Sequence, residues 1–139
     1  MTRVMLKSKI HRARLTGTEL QYAGSITLDA ALMRAADLLA GEQVHVLNLN
    51  NGSRIVTYVI EAPAASGTVL LNGPAARTGQ AGDEVIVLSY TDMPDEQARS
   101  FRPRVVLVDE ANRPRSGPSA PDTSAAEGRR PPARTEGRT

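Results

Sequence analysis

Gln43-Val44-His45-Val46-Leu47-Asn48-Leu49-Asn50-Asn51-Gly52-Ser53-Arg54-Ile55-Val56-Thr57-Tyr58-Val59-Ile60 reads as a strand, a turn and a second strand. Val44 and Val46 alternate with polar neighbours, which suits a half-buried strand. Asn50-Asn51-Gly52 supplies residues that tolerate positive φ, the strongest short hairpin signal in the chain. Residues 54–60 are rich in β-branched side chains and continue as a strand.

Working outward, residues 4–15 mix apolar and basic side chains in an imperfect alternation that fits a long opening strand. Thr16-Gly17-Thr18 breaks it, residues 19–22 form a turn, and residues 25–28 restart as a strand. Asp29 is placed as a helix N-cap. Leu32, Met33, Ala36, Leu39 and Ala40 then recur at helical spacing, and Gly41 is the expected stop. Downstream, strands are expected at residues 68–71, 84–90 and 103–109, with a turn at Asn72-Gly73-Pro74 and a helical turn opening at Met93-Pro94-Asp95-Glu96. Many short strands with one real helix predict a mainly β protein, a small closed or nearly closed β-barrel.

The chain has 139 residues, enough for one domain. With three Tyr, one Phe and no Trp, the core must come from Val, Leu, Ile and Ala. Residues 112–139 hold six Arg and three acids, net +3, which leaves residues 1–111 at net −1. The body therefore presents no case for a nucleic-acid surface. Residues 112–139 also carry five Pro and nothing apolar larger than Ala, so they are expected to be a disordered tail behind a 1–111 domain. A chain ending near Ala111 is expected to fold unaided. There is no Cys, and the only two His, His11 and His45, lack metal-ligand spacing with carboxylates, so no metal is expected. The start lacks a signal-peptide pattern and no apolar run reaches membrane-spanning length. A soluble, cytoplasmic protein with no membrane partner is expected.

Tyr22-Ala23-Gly24-Ser25-Ile26 admits two readings. By composition it is a turn. By chemistry, the Ser25 hydroxyl can attack the Gly24 carbonyl when the fold strains that peptide, and Gly leaves the carbonyl uncrowded. Elimination from the resulting ester would cut the chain and leave residue 25 as dehydroalanine, which hydrolyses to a pyruvoyl group. Such a group used for decarboxylation needs cations for carboxylates and a proton donor. Lys9 and Arg54 are candidate cations, and strand alternation puts Arg54 and Tyr58 on one face with Val56 between them and Thr57 opposite. Equally, Lys9 reads as a solvated strand charge, Arg54 as an edge guard and Tyr58 as packing.

The chain resembles the pyruvoyl-dependent aspartate 1-decarboxylases from residue 1 to about residue 111. The resemblance is carried by Met5-Leu6-Lys7-Ser8-Lys9-Ile10-His11-Arg12, Leu20-Gln21-Tyr22-Ala23-Gly24-Ser25, Asn51-Gly52-Ser53-Arg54, Thr57-Tyr58, Asn72-Gly73 with Ala75-Ala76, Gly82-Asp83, and Met93-Pro94-Asp95-Glu96-Gln97-Ala98-Arg99. It implies a double-ψ β-barrel, a homotetramer with sites between neighbouring subunits, and L-aspartate as substrate. It implies self-cleavage between Gly24 and Ser25, with Thr57 assisting, into a β chain of residues 1–24 and an α chain of residues 25–139. Ser25 would become the covalent pyruvoyl cofactor that forms a Schiff base with the substrate amine. Tyr58 would be the proton donor, Lys9 and Arg54 would hold carboxylates, and Thr57, Asn72 and residues 73–75 would line the pocket. The product, β-alanine, would feed pantothenate and coenzyme A synthesis. Pro74 departs from the expected Asn-Gly-Ala-Ala-Ala and lacks an N–H. Two other readings stand beside this one: a non-catalytic barrel binding a polyanion through its arginine-rich tail, and a pyruvoyl enzyme for another amino acid. No stretch of the chain identifies a maturation partner.

Overall fold

The computed structural model describes residues 1–21 and 24–115. Tyr22 and Ala23, in the stretch before the Gly24-Ser25 peptide, and residues 116–139 of the expected tail lie outside the described residues. In chain order the elements are β1 (Thr2–Arg14), β2 (Gly17–Glu19), β3 (Ser25–Asp29), α1 (Ala30–Ala35), β4 (Gln43–Asn48), β5 (Arg54–Ala62), β6 (Val69–Asn72), a 3-10 helix (Gly73–Thr78), β7 (Glu84–Pro94), α2 (Asp95–Ala98) and β8 (Arg104–Leu107). The protein is mainly β with short helices, as its sequence predicts.

The strands form one sheet in the order β2-β6-β3-β5-β4-β7-β1-β8. Among the described residues the hydrogen-bond ladder does not run round into a ring. Its two ends are nevertheless joined by the chain: β1, next to last at one end, continues into β2 at the other through Leu15 and Thr16 alone. Leu15 N–H bonds to the Asp83 carbonyl and Thr16 N–H to the Val69 carbonyl, both at 2.8 Å. The sheet therefore wraps around its core, with Ile10, Ile26, Leu28, Val44, Val59 and Val87 buried inside. No member of the buried cluster is aromatic, in keeping with the composition. Among the described residues no helix is long and apolar enough to cross a membrane.

The hairpin forms as read. His45 lies opposite Val56 and Leu47 opposite Arg54, and Gly52 turns the chain with φ +77°. Asn48, buried at the end of β4, accepts from the Asn50 N–H at 2.7 Å and donates to an Asp83 carboxylate oxygen at 2.9 Å.

Three features differ from expectation. The helix begins at Asp29, whose carboxylate accepts from Ala31 N–H, but it ends at Ala35 rather than at Gly41. Asp37 takes φ +57°, and the N–H groups of Asp37 and Leu38 return to the carbonyls of Arg34 and Met33. That is a Schellman closure with Asp in the place usually held by Gly. Second, Gly17–Glu19 is not a break but a strand, because β6 offers it a parallel partner. Third, contacts with the body run past Ala111 to Asn112. Asn112 is 2% exposed. Its side chain accepts from the Arg14 N–H at 2.8 Å and donates to the carbonyls of Arg14 at 2.7 Å and Gly67 at 3.0 Å. Asp109 shapes this turn through its carboxylate, which the Arg113 N–H, above all, holds below the ordinary carboxylate pKa range. A depressed pKa means that this contribution is present above the unfolded value and is lost as pH falls through the folded one.

Asn112→Ala strips three part-buried backbone groups of their partner and should cost about 2–3 kcal/mol in urea unfolding. A chain ending at Arg115 should match the full-length protein, whereas one ending at Ala111 should share the loss. Equal midpoints for the two truncations would remove Asn112 from the fold's account.

Candidate active site

Ser25 opens β3, buried between β5, which runs parallel to it, and β6, which runs antiparallel. Its register partner on β6 is Asn72, itself 1% exposed. The Asn72 amide donates to the Ser25 hydroxyl at 2.9 Å and to the Thr27 hydroxyl at 2.7 Å. Ser25 and Thr27 share a strand face, so one amide aligns both, while Ile26 and Leu28 point into the core.

The β3–β5 ladder pairs Ile26 with Val59 and Thr27 with Ile60. Carried back one residue, the same register sets Ser25 level with Tyr58; carried back two, it sets Gly24 level with Thr57. The opposite strand faces of Thr57 and Tyr58 therefore match the two sides of the Gly24-Ser25 peptide. A cleft of about 380 Å³ opens here, lined by Gly24, Thr57, Tyr58, Pro74, Ala75 and Thr78, with Ile55 and Val56 completing it.

The far wall is the 3-10 helix. Gly73, at φ +59°, lets β6 turn directly into it, and Pro74 takes its first turn. The missing Pro74 amide costs the helix nothing, since the first N–H groups of a helix lack an intrahelical acceptor. Thr78 donates its hydroxyl to the Ala75 carbonyl at 2.6 Å. The Thr78 carbonyl in turn receives Asn51 Nδ2 at 2.9 Å, Asn48 Nδ2 at 3.2 Å and Ser53 Oγ at 3.3 Å. The hairpin turn that marks the fold in the sequence thus also anchors the cleft wall.

Lys9 and Arg54 stand elsewhere. Pairing across β1, β7, β4 and β5 sets Lys9, Leu88, His45 and Val56 in one row on the outer face of the sheet. Arg54 shares that face, and its guanidinium reaches over β4, away from β3, to His45 Nδ1 and Tyr90 Oη, each at 3.2 Å. Neither cation lines the cleft within one chain. They are nevertheless distinctive. The other β1 cations, Arg3, Lys7, Arg12 and Arg14, all pair with carboxylates, whereas among the described residues neither Lys9 nor Arg54 does. Of the expected residues, then, the structure gathers Gly24, Ser25, Thr57, Tyr58, Asn72, Gly73, Pro74 and Ala75, and leaves Lys9 and Arg54 on the outer face. Thr78, Ile55 and the pair His45 and Tyr90 were not singled out in the sequence; only their spacing from Thr57 and Arg54 could have pointed to them.

A family model described as aspartate decarboxylase matches residues 1–115. The chain belongs to the aspartate decarboxylase family. It is 54% identical over 114 residues to an aspartate 1-decarboxylase of Thermoanaerobacter pseudethanolicus, covering 82% of this chain and 97% of that one. It is 58% identical over 113 residues to aspartate 1-decarboxylase 1 of Gloeobacter violaceus, covering 81% and 96%. An aspartate 1-decarboxylase of Dehalococcoides mccartyi is 56% identical over 109 residues, covering 78% and 88%.

Removing the bridging amide tests the architecture of this family member's site. Asn72→Ala leaves two hydroxyls without their common donor and should cost about 1–3 kcal/mol. Urea unfolding in a Ser25→Ala background reads the Thr27 share alone, which should be the smaller part. No loss in either background would show that the amide holds nothing.

Proposed function

We propose that this chain is an aspartate 1-decarboxylase that converts L-aspartate to β-alanine and carbon dioxide, using a pyruvoyl group made from its own Ser25. The observation that carries the reading is the buried Ser25 hydroxyl, aligned by Asn72 beside Gly24 at the cleft, in a chain of the aspartate decarboxylase family.

In the first stage the Ser25 oxygen attacks the Gly24 carbonyl carbon. The carbon–nitrogen bond breaks, and the acyl group passes to oxygen while the Ser25 nitrogen becomes an amine. Loss of the Ser25 α-proton then expels the Gly24 carboxylate, leaving residues 1–24 and a dehydroalanine at position 25. Water adds, ammonia leaves, and a ketone remains. Thr57, level with Gly24, is suited to hold the carbonyl oxygen as charge develops on it. The residues fit such a group: Gly24 adds no side chain beside it, and Asn72 provides a donor at the oxygen of residue 25.

When formed, the pyruvoyl group supplies a carbonyl that withdraws electrons from the substrate's α-carbon as carbon dioxide departs. The chain's own residues do the rest. Arg54 and Lys9 bind carboxylates through charge-assisted hydrogen bonds. Tyr58, level with residue 25, delivers its phenolic proton to the α-carbon. Asn72 and the wall from Gly73 to Ala75 fix the substrate and exclude water.

The outward placement of Lys9 and Arg54 supports a homotetramer in which one copy's cations complete a neighbour's cleft. Their face is apolar enough to be covered: Val56 is 54% and Tyr58 39% exposed. A cytoplasmic enzyme supplying β-alanine for pantothenate and coenzyme A synthesis accords with this chemistry.

Intact mass spectra beside steady-state rates test the reading. Ser25→Ala should remain one uncut, inactive chain; activity in that variant would sink the mechanism. Thr57→Val should cleave slowly. Tyr58→Phe should cleave fully but lose about 10²-fold in kcat. Arg54→Ala should cleave fully and bind aspartate tens- to hundred-fold more weakly, the equivalent of about 2–3 kcal/mol. A full-length parent that stays uncut would favour a binding module, and turnover of another amino acid in preference to aspartate would reassign the substrate.

A further inference from the structure

Arg54 is the one cation of the proposed substrate site whose partners are visible within a single chain, and neither is a carboxylate. Nη2 lies 3.2 Å from His45 Nδ1 and 3.2 Å from Tyr90 Oη. The two rings brace one another edge to face, with centroids 5.0 Å apart and planes at 70°. The three residues come from adjacent strands, β5, β4 and β7, so the sheet fixes their spacing. Both contacts use Nη2, which leaves Nε and Nη1 with their protons. An arginine held by a carboxylate would have part of its charge neutralised before substrate arrived. This one is held by acceptors that leave its charge intact.

We infer that His45 and Tyr90 are positioning residues for Arg54, and that they make aspartate affinity depend on the protonation of His45. The inference rests on the proposed role of Arg54 as a substrate-carboxylate ligand. To accept from the guanidinium, Nδ1 must carry no proton, so the imidazole is neutral with its proton on Nε2. Protonation of Nδ1 turns that acceptor into a donor and places a cation against Arg54. The ionisable groups facing His45 are Arg54 and Tyr58 from β5, Tyr90 from β7 and, beyond Leu88, Lys9 from β1. None of these is a carboxylate; by alternation along β7 the acids of that face are Asp92, beyond Tyr90, and Glu84, which is paired with Arg12 and Arg14. Arg54 is then released from its clamp, and KM for aspartate rises as pH falls.

The test uses the cleaved full-length enzyme with L-aspartate between pH 5.5 and 7.5. His45→Phe and Tyr90→Phe should each raise KM at pH 7.5 by about three- to tenfold, the effect of one lost hydrogen bond to a charged group. Cleavage should remain complete and kcat should stay within about twofold, since neither ring touches the reacting atoms. His45→Asn keeps an acceptor without a titrating proton. It should restore a near-parental KM at pH 7.5 and abolish the acid-side rise that the parent shows. A merely structural role would instead lower cleavage, kcat and stability together. A parental KM in both Phe variants, a parent whose KM is flat with pH, or an acid-side rise that survives in His45→Asn would each overturn the inference. Arg54→Ala separates the levels: if it leaves KM unchanged, the substrate role of Arg54 falls and this inference with it. If it raises KM while the His45 and Tyr90 variants do not, only this inference falls.

Discussion

The parallel register of β3 on β5 is the constraint on which the site depends. A parallel pair cannot close with a tight turn, so the chain must leave β3, cross over and return. Here the crossover is α1 followed by β4, with the β4–β5 hairpin completing the return. That path is short, and both ends of it are pinned. The Asp29 carboxylate caps α1 and also receives the N–H groups of Ala65 at 2.9 Å and Gly67 at 2.8 Å, which lie just past the end of β5. One buried carboxylate therefore ties the exit from β3 to the exit from β5. A slip of one residue would push Ile26 and Leu28 out of the core and turn Ser25 to the wrong side. The apolar pattern that holds the core is thus the same pattern that aims the serine.

Charge follows a complementary rule. Most basic residues on β1 are consumed by carboxylates, and the bulge at Lys7, where the β1–β7 register shifts, sends that side chain to Glu42 at 2.7 Å. The shift leaves Lys9 on the outer face with no acid beside it among the described residues. Arg54 reaches the same condition differently, by being held through His45 and Tyr90. Among the described residues, then, these two cations of the outer face keep their charge uncompensated by a carboxylate, while the other cations of β1 do not.

Legibility in the sequence tracked how local each determinant is. The β4–β5 hairpin, the Asp29 cap and the shared face of Arg54, Val56 and Tyr58 are properties of a few consecutive residues, and all three were readable. The strand at Gly17–Glu19 was not, because its partner is β6, some fifty residues away, and Gly and Thr alone do not announce a strand. The bulges near Lys7 and Arg12, the latter at φ +63°, are what spoil the alternation of β1. The early end of α1 was hidden because Asp37, not a glycine, takes the left-handed position. Asn112 was hidden for the opposite reason: its neighbours resemble a tail, and only Arg14 and Gly67 reveal that it belongs to the body. Residue roles rested on resemblance alone, and the register of β3 on β5 supplies a geometric reason for grouping Thr57 with Tyr58 that strand alternation had denied.

Pro74 shows how one substitution is absorbed and what it imposes. Its missing amide falls in the first turn of the 3-10 helix, where it had no acceptor to lose. Its ring, however, fills space that an alanine would leave open. A Cβ built on Gly24 would meet Pro74 Cδ at 3.2 Å, closer than most such contacts in proteins. The ring is fixed by its own closure and by the helix it opens, so it has little room to yield. Glycine before a cleaving serine is favoured on chemical grounds in any chain, because it leaves the carbonyl uncrowded. In this one packing adds a second reason, since a side chain at residue 24 fits only if the Pro74 ring gives by a few tenths of an ångström.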